Sequence, residues 1–143
     1  CMLDVDHFKR INDTYGHTAG DRVLARIAEE VRDVLRRADT FGRFGGEEFT
    51  IIAPEVDRAG AAMMADKIRR TVEALKVETG EGFCRTTISA GVADLEDYVR
   101  VISESGADPK RSAPDPTTMI QLADERLYLA KERGRNRVVA SDE

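Results

Sequence analysis

Two pairs of carboxylates stand where a carboxylate is expensive. Asp4 and Asp6 punctuate an apolar stretch that begins at Met2. In a strand they share one face, roughly 6–7 Å apart. Glu47 and Glu48 directly follow the pair Gly45 and Gly46. Two like charges ~4 Å apart at an effective dielectric of ~20 repel by ~4 kcal/mol. A hard divalent cation removes that penalty, and Mg²⁺ is commonly held by one or two carboxylates together with substrate phosphates. For Asp6 alone, the N-cap of a following helix is the simpler account. For Glu47 and Glu48 the plain alternative is a charged hairpin tip. Against it stands the doubling: two acidic clusters flank what should be adjacent strands, and both glycines would let a ligand's phosphates approach the backbone.

A second set could recognise a nucleotide. Asn12 and Asp21 could offer an amide and a carboxylate to a purine edge, the carboxylate accepting from the N1–H and N2–H₂ donors of guanine. On spacing alone the plainer account prevails: Asn12 is a polar residue late in a helix and Asp21 an acid at a helix start. Lys9, Lys131 and Arg135 could hold phosphates, lysine as a point charge and arginine as a fork, or be solvated surface. His7 and His17 show no metal-ligand spacing and are read as structural or polar residues.

These residues need elements to position them. Residues 2–6 read as the end of a buried strand and 7–15 as a short helix stopping at Gly16. The clearest helix spans 21–37, with Val23, Leu24, Ile27, Val31, Val34 and Leu35 on one face. Runs 40–44 and 48–53 around Gly45 and Gly46 predict a β-hairpin. A helix follows over 58–75, a strand over 84–93, a helix over 118–133 and a strand over 137–140. Residues 94–117 hold three prolines, many charges and no sustained periodicity, beyond a short helical turn near 98–102. They read as a surface insertion. The order β-α-α-β-β-α-β-α-β predicts an α/β (α+β) sandwich of the ferredoxin-like, palm-like type: two layers, with helices covering a mostly antiparallel sheet.

Composition narrows the class. The 143 residues make one domain, and a formal charge of −5 argues against a nucleic-acid surface. A small phosphorylated ligand needs only a local cationic cluster. Hydrophobic residues at 41% with 34% charged describe a globular chain. The two cysteines, Cys1 and Cys84, form no metal or disulfide pattern, so a reducing, cytoplasmic setting is expected. No run approaches the ~18 apolar residues of a membrane span. The chain opens at Cys1, without an initiator Met and inside an expected strand. It is therefore expected to be an N-terminally truncated piece of a longer regulated protein.

Gly45-Gly46-Glu47-Glu48-Phe49 resembles the signature of the GGDEF domain family in its GGEEF form. The ordered match extends through Leu3-Asp4-Val5-Asp6-His7-Phe8-Lys9, Ile11-Asn12-Asp13-Thr14-Tyr15-Gly16-His17, Gly20-Asp21 and Ser89-Ala90-Gly91-Val92. It closes on Ala123-Asp124, Lys131 and Gly134-Arg135-Asn136. The resemblance implies a nucleotidyl cyclase palm, a diguanylate cyclase that condenses two GTP into cyclic di-GMP and two pyrophosphates. By position it implies that Asp4, the Val5 carbonyl and Glu47 bind Mg²⁺ or Mn²⁺, two ions per site at most. Asn12 and Asp21 would read guanine. The backbone around His7 and Phe8, with Gly45, Gly46, Lys9, Lys131 and Arg135, would hold the substrate's phosphates. Glu47 or Glu48 would help deprotonate the attacking 3′-hydroxyl, with Lys9 as a further catalytic group. Because one domain holds one GTP, a homodimer is implied, controlled by a regulatory domain N-terminal to this segment. The family's own N-terminal helix and Leu-Thr-Gly/Asn-Arg motif are missing here, and His7 stands where an aromatic residue is often found.

Arg36 and Asp39 form an RxxD with five residues between Asp39 and Gly45, the spacing of the family's product-inhibition site. Their ordinary alternative is an i,i+3 ion pair closing a helix. The rivals to a cyclase are a silent cyclic di-GMP receptor working through Arg36 and Asp39, and a GTP-binding or dimerisation module serving a partner domain. An ATP cyclase is disfavoured, because a carboxylate at Asp21 would set acceptor against acceptor at adenine N1.

Overall fold

The computed structural model describes residues 1–80, 82–109 and 115–141. Strand β1 (Met2–Val5) is buried along its whole length. Alternation sends Leu3 and Val5 to one face of the sheet and Met2 and Asp4 to the other. β1 is central, pairing antiparallel with β3 (Glu48–Ile52) on one side and β6 (Ile88–Gly91) on the other. β2 (Thr40–Gly45) forms the hairpin with β3, and β7 (Val138–Val139) runs parallel to β6. The sheet order is β2-β3-β1-β6-β7. The expected fold class holds.

Helices α2 (His17–Val34) and α3 (Arg58–Ala74) bury Val23, Leu24, Ile27 and Val31, and Ala61, Ala65, Ile68 and Val72. These join Leu3, Val5, Phe49, Ile51, Ile88 and Ala90 in the larger core. On the opposite face, Ala123 and Leu127 of α5 (Pro116–Glu132) pack on Met2. Helices therefore cover both faces of the sheet, where the sequence pattern predicted two layers. The contact is close: a Cβ on Gly91 would overlap the Ala123 carbonyl and the Leu127 amide. Only glycine lets α5 settle onto β6 there.

Other elements shift from expectation. α2 begins at His17, upstream of 21, and ends at Val34 before the extended Leu35. The stretch 84–93 divides, because β5 (Gly82–Cys84) turns back on β4 (Val77–Thr79) as a separate hairpin. Residues 94–117 are not irregular throughout. Helix α4 (Leu95–Glu104) starts on a reciprocal capping box, with Asp97 N–H donating to Asp94 at 2.9 Å and Asp94 N–H donating to Asp97 at 3.1 Å. Buried Tyr98 and Asp97 dock α4 on the domain. α5 begins at Pro116, whose missing N–H costs nothing at a helix start. Residues 110–114 of that expected insertion lie outside the described residues.

Candidate active site

The end of β1 and the β2–β3 turn meet directly. Asp4 is register partner to Glu48 on β3 and to Ser89 on β6. One residue on, Val5 N–H donates to the Glu47 carbonyl at 3.2 Å. Glu47 lies in the turn and Glu48 opens β3, both half-buried. The turn is secured by Arg43, whose Nε donates to the Gly46 carbonyl at 2.8 Å, and by an irregularity in register between Arg43 and Gly45. Gly45 and Gly46 thus sit beside the acidic cluster, with open space around Gly46.

Across from this cluster, Lys131 in the last turn of α5 places its ammonium 2.9 Å from Asp4 Oδ2. Burial pushes the Asp4 carboxyl above its ordinary pKa, the Lys131 hydrogen bond and charge pull it back, and Glu47 and Glu48 raise it further. The Asp4 carboxylate thus feels one ammonium in contact and two further acids nearby. Among the described residues, no three His, Cys, Asp or Glu side chains are gathered into a ready cation cage. The donors are nevertheless hard oxygens with incompletely neutralised charge, which fits Mg²⁺ or Mn²⁺.

Helix α1 (Phe8–Tyr15) leaves the strand end through His7, whose left-handed backbone (φ 55, ψ 32) forms the N-cap. The His7 side chain makes no capping bond, and its carbonyl accepts from Arg10 and Ile11 N–H at 2.9 and 3.3 Å. The first N–H groups of the helix, around Phe8 and Lys9, have no intrahelical acceptor and are suited to an anion. Phe8 is half-buried and Lys9 exposed. Asp6 is not the N-cap that its position suggested. It is buried behind the site, and its carboxylate accepts from Thr87, Ser89 and the backbone of Asn136.

At the other end of α1, Asn12 Oδ1 is buried and finds no hydrogen-bond partner among the described residues. The side chain rests on Gly20 of α2, where an added Cβ would overlap Asn12 Oδ1 and press on the Phe8 ring. Asp21 is the next residue, exposed on α2. The α1–α2 junction thus collects both expected base readers, one with an unmet acceptor. An orphaned buried amide oxygen costs about 1–3 kcal/mol and marks a place for a donor.

Beyond Lys131, α5 closes through Gly134, whose N–H donates to the Lys131 carbonyl at 3.3 Å. Arg135 and Asn136 follow in the left-handed region, at φ 62 and φ 47. Arg135 N–H is fixed on the Ala130 carbonyl at 2.9 Å.

Arg36 and Asp39 lie elsewhere, just past the end of α2. Arg36 Nη2 meets Asp39 Oδ1 at 2.7 Å and the Pro54 carbonyl at 3.0 Å, and Arg36 N–H donates to Asp39 at 2.8 Å. The Arg36 hydrogen bonds hold the Asp39 carboxyl below the usual range. Beside the pair opens a cleft of ≈ 610 Å³ lined by Glu55, Asp57, Met64 and Lys67. His17 merely begins α2, consistent with a structural part.

Sequence reasoning missed the ionic cluster beneath α4. Arg126 of α5 is buried and donates to both Asp97 oxygens at 2.6 and 2.9 Å and to the Val92 carbonyl at 2.7 Å. Arg58 of α3 reaches Asp97 at 2.9 Å and Asp94 at 3.1 Å. The only local signal was the Asp94/Asp97 spacing of a capping box. Nothing in linear sequence separates Arg126 from a solvated charge.

A mostly antiparallel sheet clad in helices, with an acidic strand end and hairpin turn opposite a lysine, is the architecture of a palm-like nucleotidyl cyclase domain. The chain belongs to the family described as diguanylate cyclase, GGDEF domain, whose model matches residues 1–137. Diguanylate cyclase DosC of Escherichia coli K12 is 39% identical over 137 residues, covering 96% of this chain and 27% of its own. Diguanylate cyclase SiaD of Pseudomonas aeruginosa, solved with its activator SiaC, superposes with a TM-score of 0.80 at 34% identity, over 96% of this chain and 47% of its own. The GGDEF domain of DgcB from Caulobacter crescentus, solved in complex with c-di-GMP, gives 0.79 at 30% identity, over 96% and 74%. The chain spans about a quarter of the length of DosC. Among the described residues, no helix is long and apolar enough to cross a membrane.

Proposed function

We propose that this chain is the catalytic domain of a diguanylate cyclase, joining two GTP into cyclic di-GMP with release of two pyrophosphates. The observation that carries the reading is the convergence of Asp4, the Glu47–Glu48 turn and Lys131 at the end of β1. Asp4, the Val5 carbonyl and Glu47 would hold Mg²⁺ or Mn²⁺, at most two ions. When bound, the metal acidifies the 3′-hydroxyl and neutralises charge on the phosphates.

The chain's own residues supply the rest. Asn12 Oδ1 accepts from the guanine amino group, and Asp21 accepts from the N1–H and N2–H₂ donors. The backbone of His7 and Phe8, the open turn at Gly45 and Gly46, and Lys9, Lys131 and Arg135 hold the triphosphate. Glu47 or Glu48 takes the proton of the attacking 3′-hydroxyl, with Lys9 close to the reacting phosphates. The 3′-oxygen then bonds to the α-phosphorus of the other GTP, and the α–β phosphoanhydride bond breaks to release pyrophosphate. The step occurs twice. Such chemistry depends on alignment and charge neutralisation. Each domain presents one nucleotide, so the active unit is a homodimer of facing domains, in the cytoplasm and under a regulatory domain N-terminal to this segment. Arg36 and Asp39, beside their cleft, bind product and restrain turnover.

Incubating the full-length protein with GTP and Mg²⁺ and resolving the nucleotides by mass spectrometry tests the reading. Cyclic di-GMP should appear, and Glu47→Gln should abolish it while cyclic di-GMP still binds at Arg36. Turnover surviving in that variant would overturn the metal-site assignment. Unchanged GTP from dimeric wild-type protein that binds cyclic di-GMP would favour the second reading, a receptor working through Arg36 and Asp39.

A further inference from the structure

Asp6 is buried at 3% exposure, and both of its oxygens are engaged. Thr87 donates its hydroxyl to Oδ2 at 2.6 Å, Ser89 to Oδ1 at 2.7 Å, and Asn136 N–H to Oδ2 at 3.0 Å. Its backbone is pinned as well: Asp6 N–H donates to the Thr87 carbonyl at 2.9 Å, and the Thr86 hydroxyl donates to the Asp6 carbonyl at 3.1 Å. With three protein donors on it, this carboxylate has little left for a metal. Among the described residues, Asp4, two residues earlier, has one side-chain partner, Lys131.

What the Asp6 carboxylate holds is a strained piece of chain. Arg135 and Asn136 are consecutive non-glycine residues at positive φ, 62 and 47. Such a conformation costs of order 1–3 kcal/mol per residue and persists only where its surroundings over-determine it. Here they do. Asp6 takes the Asn136 N–H, while on α3 Glu73 accepts from Asn136 Nδ2 at 2.7 Å and Arg69 donates to Asn136 Oδ1 at 2.8 Å. Immediately afterwards the Arg137 carbonyl accepts from Ala90 N–H at 2.9 Å, starting the β6–β7 pairing. The peptide that joins Arg135 to Asn136 is thus fixed by Asp6, while Arg135 N–H donates to the Ala130 carbonyl at 2.9 Å and its carbonyl accepts from Arg137 Nε at 3.1 Å.

We infer that Asp6 is a positioning residue: it clamps the Arg135–Asn136 pair in its left-handed conformation and so aims Arg135 at the substrate's phosphates. The inference rests on the cyclase reading for the role of Arg135. It gives the end of β1 a division of labour. Asp4 faces Lys131 directly, and Asp6 holds the frame of Arg135, so one strand end orients two of the three cations assigned to the phosphates.

The test uses the full-length protein and four readouts: KM and kcat for GTP, and inhibition constants for pyrophosphate and for guanosine. Losing a charge-assisted bond to the Asn136 backbone is expected to raise KM for GTP and the pyrophosphate constant about 10–100-fold in Asp6→Ala. The guanosine constant should stay within about 3-fold, because the base site lies on α1 and α2. Asp6→Asn should remain close to wild type, since its amide oxygen can accept from Asn136 while its NH₂ donates to Ser89. If Asp6→Ala fails to fold, Asn136 decides. Glycine there keeps the left-handed backbone and should retain pyrophosphate binding, whereas valine cannot adopt it and should lose binding. An unchanged pyrophosphate constant in Asp6→Ala, equal losses for guanosine and pyrophosphate, or equal behaviour of Asn136→Gly and Asn136→Val would overturn the clamp. Wild-type protein that neither converts GTP nor is inhibited by pyrophosphate would instead sink the cyclase reading, and the clamp with it.

Discussion

Lys131 Nζ lies 2.9 Å from Asp4 Oδ2, linking the last turn of α5 to the buried centre of the sheet. Each is assigned another partner in catalysis, the lysine a phosphate and the aspartate a metal. If each turns to its proposed partner the contact weakens from both sides, which would couple cation and triphosphate through one contact. Lys131→Met should raise KM for GTP about 10–100-fold, the value of one charged hydrogen bond. The same variant should bind Mn²⁺ alone more tightly than wild type, because no ammonium competes for Asp4. Calorimetry with Mn²⁺ and no nucleotide checks this, and equal affinities would count against the exchange.

Gly20 is required by the lie of Asn12. A methyl group at Gly20 would overlap Asn12 Oδ1 and crowd Phe8. Gly20→Ala should therefore displace Asn12, the proposed base reader, while α2 stays formed, because alanine favours a helix intrinsically. Loss of one or two base hydrogen bonds at about 1 kcal/mol each predicts a roughly 5–30-fold fall in kcat/KM for GTP. It should also narrow the preference for GTP over ATP. Steady-state kinetics with both nucleotides would show this, and an unaltered preference would remove Asn12 from the recognition set.

Arg36 and Asp39 satisfy each other beside an open cleft, and the guanidinium also holds the Pro54 carbonyl. A product molecule bound there, as proposed, would compete with that pairing. In Arg36→Ala, the constant for inhibition by cyclic di-GMP should rise at least about 10-fold. Progress curves should no longer slow as product accumulates. Curves that bend as in wild type would place feedback elsewhere.

The Asp97–Arg126 pair makes a prediction about stability. Burial alone would raise the Asp97 pKa, but the Arg126 and Asp94 hydrogen bonds more than reverse it and hold the carboxyl well below its ordinary range. A depressed folded pKa adds stability that is fully present above the unfolded value, near 3.9, and fades as pH falls below it. Asp97→Asn should cost about 3–5 kcal/mol at neutral pH, because it removes the carboxylate charge that two guanidinium nitrogens of buried Arg126 share. The gap from wild type in urea denaturation should hold from pH 7 to about pH 5 and narrow below about pH 4. A gap that is the same at pH 3 and pH 7 would contradict the assignment.

Much of this was legible in linear sequence. The apolar faces of α2 and α3, the glycine turn between β2 and β3, and the acids at the end of β1 depend on spacing alone. Periodicity reports which residues turn inward, and turn chemistry is local. The roles expected of the site residues came instead from the ordered motif match to a family, which spacing by itself left open. Tertiary structure decided whatever needed a distant partner. Whether Asp6 caps a helix or clamps a loop turned on Asn136, far along the chain. Arg126 became a core residue because Asp97 met it inside, and 95–104 became a helix because its start could bury that pair. A charged side chain carries no sequence mark of its own burial. Its desolvation is met only by a counter-charge that folding brings within hydrogen-bond reach.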